Sequence, residues 1–162
     1  MLSQKAKYAL RALLMLAERS EDDLVMIADI AERENVPRKF LEAILLDLRK
    51  RGLLDSRRGK NGGYRLAKPP AAISFGEIIR IVDGPLAPLP CASKSGFRPC
   101  EDCTDVDTCS VRWLMLRVRD ATADILDNCS LADGLKHRRA TGVLPGEDVP
   151  DDMPGSMAAT PL

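Results

Sequence analysis

Between residues 37 and 66 the apolar pattern changes from the period of a helix to that of a short hairpin, and the change falls at a glycine. Phe40, Leu41, Ile44, Leu45 and Leu48 recur at three and four residues, which gathers them on one helix face. Pro37 stands where a helix can begin without the N–H that proline lacks. Gly52 suits the left-handed residue that ends a helix. Two apolar-ended segments follow, 53–56 and 63–66, around Arg57, Arg58, Gly59, Lys60, Asn61 and Gly62. The Asn-Gly pair predicts a tight hairpin turn. Two further helical patterns precede this unit. Residues 5–19 repeat Ala6, Ala9, Leu10, Leu13, Leu16 and Ala17, and residues 27–34 turn Ile27, Ile30 and Ala31 inward. Asn35 and Val36 connect the second helix tightly to the third.

Three helices and a basic-tipped hairpin, in that order, predict a winged helix-turn-helix: mainly α with a small β-hairpin wing. The charge distribution agrees. The formal net charge is zero, yet residues 1–68 hold 15 Lys and Arg against 10 Asp and Glu, and the remainder reverses the balance. Residues 38–65 alone carry nine basic groups against three acidic ones. A basic stretch on a small domain is the footprint of a polyanion. In such a fold the third helix enters the major groove, and the hairpin tip reaches phosphates or the minor groove. Arg38, Lys39, Glu42, Arg57, Arg58, Lys60 and Tyr64 are therefore the candidate contacts to double-stranded DNA. Taken singly, the same residues would read as solvated surface.

Ser74 and Glu77 have the spacing of a capping box, and Ile73 can staple onto Ile78, so a fourth helix opens there and closes at Asp83, Gly84 and Pro85. A long helix is expected over 110–128. Along it Val111, Leu114, Val118, Ala121 and Ile125 form a narrow seam of the coiled-coil kind, which favours a homodimer. Trp113, Leu116 and Leu126 lie off the seam and can serve packing within one chain. Residues 1–84 thus read as the DNA-binding domain, 85–109 as a cysteine loop, 110–134 as a dimerisation helix, and 135–162 as a disordered tail.

Cys91, Cys100, Cys103 and Cys109 crowd into nineteen residues among Ser, Gly, Pro, Asp and Thr. Thiolates gathered on a polar loop suit a soft metal or an iron–sulfur cluster. A structural zinc is the second possibility, and a reversible disulfide between Cys100 and Cys103 with no metal is the third. Cys129 reads as a small apolar residue near the end of the long helix. The chain lacks a Ser/His/Asp set, a phosphate-cradling glycine loop and paired carboxylates in a recognisable frame, so an enzyme is not expected. It also lacks a signal-peptide layout and an apolar stretch of about 20 residues for a membrane span. A cytoplasmic protein with reduced thiols is the expectation.

Tyr8 to Arg11, Phe40 to Glu42, the wing motif from Arg58 to Leu66, Gly76-Glu77, Val82-Asp83 and cysteines ahead of a long helix resemble the IscR/NsrR/RirA family of bacterial regulators, the Rrf-two family. The similarity covers roughly residues 1–135. It implies a homodimeric winged-helix transcription factor on a pseudo-palindromic operator, controlled by an iron–sulfur cluster, 2Fe–2S or 4Fe–4S, near the dimer interface. Repression is the simpler mode, since a dimer across a promoter blocks polymerase without an activating surface. Carried over by position, Lys39 and Glu42 would read base edges and Arg58 would enter the minor groove. Arginine suits that narrow groove, and glutamate can accept from cytosine N4. The plainer role for Glu42 is an ion pair with Arg38 or Lys39. The cysteine spacing departs from the family, in which three cysteines have five residues between each neighbouring pair. Here Cys103 and Cys109 alone keep that spacing. Arg112 and Lys7 occupy the places from which other members take a histidine or acidic fourth ligand. Two accounts remain: Cys100 completes an all-cysteine site, or three cysteines bind and an external group fills the last position. Four thiolates match the commonest ligation of both cluster types, which favours the first.

Overall fold

Helix periodicity in the first half of the chain becomes a layer of short helices around an aliphatic core. A computed structural model describes residues 2–20, 22–59, 61–103 and 105–141. Lys60 and residues 142–162 lie outside the described residues, and with them one predicted DNA contact and most of the predicted tail. Helix α1 (Gln4–Ala17) starts at Ser3, whose hydroxyl accepts the Ala6 N–H at 3.0 Å. Helix α2 (Ile27–Arg33) ends on Asn35 at φ 48°, and the Val36 N–H reaches back to the Ala31 carbonyl at 2.9 Å. Helix α3 (Arg38–Lys50) ends the same way on Gly52 at φ 73°, with the Leu53 N–H on the Leu48 carbonyl at 3.0 Å. Both ends are Schellman motifs, which satisfy carbonyls that a helix terminus would leave orphaned.

Strands β1 (Leu54–Arg57) and β2 (Gly63–Leu66) pair antiparallel, Leu54 opposite Leu66 and Arg57 opposite Gly63. Asn61 and Gly62 stand directly before β2, within the connection that the sequence places between the two segments. Gly59 lies at φ 112°, and the Gly62 N–H donates to the Gly59 carbonyl at 2.9 Å. The glycines of this wing each answer a steric demand. A Cβ on Gly62 would lie 2.2 Å from the Arg57 carbonyl oxygen, and one on Gly63 would lie 2.5 Å from that of Val25. Val25 in turn exchanges two backbone hydrogen bonds with Tyr64, both 2.9 Å, so the segment before α2 lies against β2.

Helix α4 (Phe75–Val82) begins at Ser74, whose hydroxyl accepts the Glu77 N–H at 3.1 Å. It ends at Gly84, φ 88°. A 3-10 turn at Pro90–Ala92 carries Cys91, and helix α5 (Ser110–Asp127) follows the cysteine loop. The core joins α1, α2, α3, the wing and α4 through Leu13, Ile30, Leu41, Ile44, Leu45, Leu48, Leu53, Ile73 and Ile78. Phe40, expected to be buried, is 53% exposed and meets Tyr8 edge-on, with ring centroids 6.2 Å apart. It sits on the flank of α3, beyond the four positions that face inward. Trp113 is likewise exposed, while Leu116 and Leu126 are partly covered.

The long helix breaks at 128–130, and a sixth helix, α6 (Leu131–Thr141), occupies the first part of what composition assigns to the tail. Ser130 and Asp133 cap it reciprocally: the Asp133 carboxylate accepts the Ser130 N–H at 3.1 Å, and the Ser130 hydroxyl accepts the Asp133 N–H at 3.3 Å. Leu131 and Leu135 enter the core. Arg138 reaches Glu18 at 2.8 Å and Glu34 at 3.6 Å, and Arg11 also pairs with the fully buried Glu34 at 3.1 Å. The helix therefore folds because of what it packs on, not from its own apolar period. No helix among the described residues is long and apolar enough to cross a membrane.

Candidate nucleic-acid interface and cysteine site

The wing and α3 are joined by Arg49, which donates to the Ser56 hydroxyl at 3.0 Å, an anchor that residue periodicity does not reveal. Arg38, Lys39, Arg57 and Arg58 are all exposed on these two elements. Glu42 is held by Arg38 at 3.3 Å, one turn away, which is the ion pair that spacing allowed. Tyr64 is half-buried against the core and fixes the wing through its backbone. Arg65, on the same strand, pairs with Asp22 at 3.3 Å and Asp55 at 3.6 Å. The two elements thus present a cationic surface whose scaffold is rigid and whose tip is glycine-rich.

The cysteine site hangs on α5. Arg112 donates to the Cys91 carbonyl at 3.1 Å and lies over the Phe97 ring, and Arg119 donates to the Ala92 carbonyl at 2.7 Å. These two arginines, one helical face apart by two turns, clamp the Cys91 turn against the helix. In the sequence Arg112 stands out only for occupying the place of a histidine ligand in other family members, and Arg119 not at all; their seven-residue spacing, which puts both on one helix face, is the available signal. Cys109 forms the N-cap of α5, its sulfur accepting the Arg112 N–H at 3.4 Å.

All four loop thiols are free, as is that of Cys129. Cys91 is buried, and its sulfur lies 3.9 Å from that of Cys100. Tetrahedral ligation at a metal–sulfur distance of about 2.3 Å puts neighbouring sulfurs roughly 3.8 Å apart. The pair therefore has the spacing of one edge of such a site, and the donor chemistry fits an iron–sulfur cluster or zinc. The Cys100 thiol is pushed up by its hydrogen bond to Cys91, and Cys103 is pushed up by desolvation and then by neighbouring Cys109. The structure so couples Cys91 with Cys100, rather than the Cys100 and Cys103 pair expected for a thiol switch. No group of three or more His, Cys, Asp or Glu among the described residues stands already arranged to hold a metal ion. Cys103 meanwhile contacts the Asp105 carbonyl at 3.4 Å.

On its outer side α5 presents the predicted seam to solvent. Val111 is 59% exposed and Ile125 is 69% exposed, with Leu114 and Val118 between them also open. Beside the seam an apolar groove of about 620 Å³ is lined by Leu10, Phe75, Ile79, Leu86, Val118 and Leu126, among others.

A family model, Rrf2, described as "Iron-dependent Transcriptional regulator", matches residues 2–137. An rrf2-like HTH-type transcriptional regulator of Rhodobacter capsulatus is 46% identical over 138 residues, spanning 83% of this chain and 92% of that protein. The HTH-type transcriptional regulator IscR of Yersinia enterocolitica is 36% identical over 132 residues, spanning 82% of this chain and 77% of that one. Among solved structures, CymR, the global cysteine regulator of B. subtilis, matches with a TM-score of 0.69 at 32% identity, covering 85% of this chain and 97% of its own. These relatives are transcriptional regulators and not enzymes.

Proposed function

Because this chain belongs to the Rrf2 family of DNA-binding transcriptional regulators, we propose that it is a homodimeric repressor whose operator binding answers to an iron–sulfur cluster held by Cys91, Cys100, Cys103 and Cys109. The observation that carries the cluster is the pair of sulfurs 3.9 Å apart, on a turn clamped to α5, within a loop of four free thiols. When bound, the cluster supplies a state sensitive to iron supply and to oxidants. The protein's own part is to fix one thiol pair in advance through Arg112 and Arg119, and to let the looser Cys103 and Cys109 side close. The exposed seam of α5 buries itself against a second copy, which sets two recognition helices on one face of the duplex. Arg38, Lys39, Arg57 and Arg58 then meet DNA, and a dimer lying across a promoter excludes polymerase.

The 3.9 Å pair also supports a second reading, a reversible Cys91–Cys100 disulfide, because the two free thiols already lie side by side. Protein purified without air separates the two. A cluster gives brown protein with absorption near 400 nm, lost in Cys91→Ala, Cys100→Ala, Cys103→Ala and Cys109→Ala and kept in Cys129→Ala. Colourless, metal-free protein whose DNA affinity changes on oxidation would replace the cluster with the disulfide. Colourless protein with stoichiometric zinc would make the loop a structural brace.

A further inference from the structure

The outward face of α3 is apolar at its centre and cationic at both ends. Leu41, Ile44, Leu45 and Leu48 are spent on the core. Lys39, Ala43, Leu46 and Lys50 lie on the opposite side of the helix, and all four are exposed, Leu46 by 42%. At about 1.5 Å per residue the stripe from Lys39 to Lys50 is about 16 Å long, set against a major groove about 12 Å wide. Lysines at its ends can therefore reach phosphates on the two strands, with Ala43 and Leu46 over the groove floor between them. The nearby carboxylate of Glu42 is engaged by Arg38. An isobutyl group gains free energy only when something apolar covers it. On the floor of the major groove the apolar group is the 5-methyl of thymine; the other base edges present nitrogen, oxygen or amino groups.

Resting on the DNA-binding reading above, we infer that Ala43 and Leu46 are specificity-determining residues that select thymine, by apolar contact with its 5-methyl, in each half-site. Arg38 and the lysines supply affinity from phosphates, and this pair supplies sequence discrimination. The test starts from a duplex that the full-length protein enriches from a randomised DNA pool. Each thymine is then replaced in turn by deoxyuridine, which removes one methyl and keeps every hydrogen-bonding group. The Kd should rise about four-fold at one or two positions per half-site, the equivalent of about 0.8 kcal/mol for one buried carbon. In a double variant, Leu46→Ala with Ala43→Ser, altered only on the surface, the same replacements should lose most of their effect. Equal affinity of the wild-type protein for thymine and uracil duplexes at every position would overturn the inference while leaving sequence-specific binding intact. A pool that yields no enriched sequence would instead bring down the DNA-binding reading beneath it.

Discussion

Replacing Ile125 with lysine separates a dimer seam from an ordinary surface. Ile125 is 69% exposed in the single chain, so the substitution removes nothing from the core. Burying an isoleucine side chain fully contributes about 1.5–3 kcal/mol, so covering the exposed share yields roughly 1–2 kcal/mol. In an isologous interface the residue counts twice, giving about 2–4 kcal/mol per dimer. The introduced ammonium adds a desolvation cost on top. The dimer dissociation constant should therefore rise at least 30- to 1000-fold, on the scale of about 1.4 kcal/mol per factor of ten. Sedimentation velocity at micromolar concentration should show monomers, and operator affinity should fall with dimerisation because two half-sites no longer act together. Far-ultraviolet circular dichroism and the unfolding midpoint of the monomer should stay at the wild-type level. An intact dimer in the lysine variant would mean that the α5 seam is not where two copies meet.

Three further perturbations test other parts of the fold. Gly63→Ala places a Cβ 2.5 Å from the Val25 carbonyl oxygen, a backbone atom that cannot yield; urea unfolding should show a loss of about 1–3 kcal/mol, and unchanged stability would refute the close approach. Arg138→Ala leaves the buried Glu34 carboxylate with Arg11 alone; the same assay should register about 1–3 kcal/mol, whereas ending the chain after Arg139 should cost almost nothing. Asp133 is held at about 2 by the Ser130 hydroxyl and then Lys136. A carboxyl depressed in the folded state stabilises it above the unfolded value, near 4, and that contribution is lost as pH falls from about 4 to about 2. Asp133→Asn should lower stability above that window and flatten the profile across it, converging with the wild type at the acid end; a wild-type slope in the variant would assign the titration elsewhere.

The parts of the fold written in local patterns were legible in the sequence. Leu41, Ile44, Leu45 and Leu48 follow the helical period, Gly52 marks a left-handed stop, and Ser74 with Glu77 marks a helix start. The structure meets each of these with the expected geometry. What escaped depends on partners distant in the chain. Helix α6 carries only Leu131 and Leu135 into the core and ends in a basic run that resembles a solvated tail; its stability comes from α1 and the buried Glu34. Phe40 was misplaced because an aromatic side chain in an apolar run reads as core, yet its position on the flank turns it toward Tyr8. In the wing, Asn61 and Gly62 signal a hairpin, but not that Gly62 and Gly63 stand where backbones nearly touch. The coupling of Cys100 to Cys91 across nine residues, rather than to Cys103 nearby, follows from the turn that Arg112 and Arg119 clamp.

Helix α5 is tied at both ends to different parts of the molecule. At its start Cys109 caps it, and Arg112 and Arg119 fasten the Cys91 turn to its first half. At its end Arg80 of α4 grips Asp127 with two hydrogen bonds, 2.6 and 2.8 Å, and holds that carboxyl below its usual range. Gly76 makes this possible, since a Cβ there would stand 1.9 Å from the Asp127 carboxylate oxygen. The Phe75 N–H on the Cys129 carbonyl, 2.9 Å, and the Leu131 N–H on the Ile73 carbonyl, 2.9 Å, bind the same end to the start of α4. At about 1.5 Å per residue, the 18 residues between these ties form a lever about 27 Å long. Helix α3 packs on the aliphatic core through Leu41, Ile44, Leu45 and Leu48, and none of the ties named above reaches it. In a dimer built on the α5 seam, a rearrangement of the cysteine turn would therefore act on the angle at which the two levers cross. On the function proposed above, that angle would set the separation of the two α3 helices, and the state of the cysteines would be read as half-site spacing.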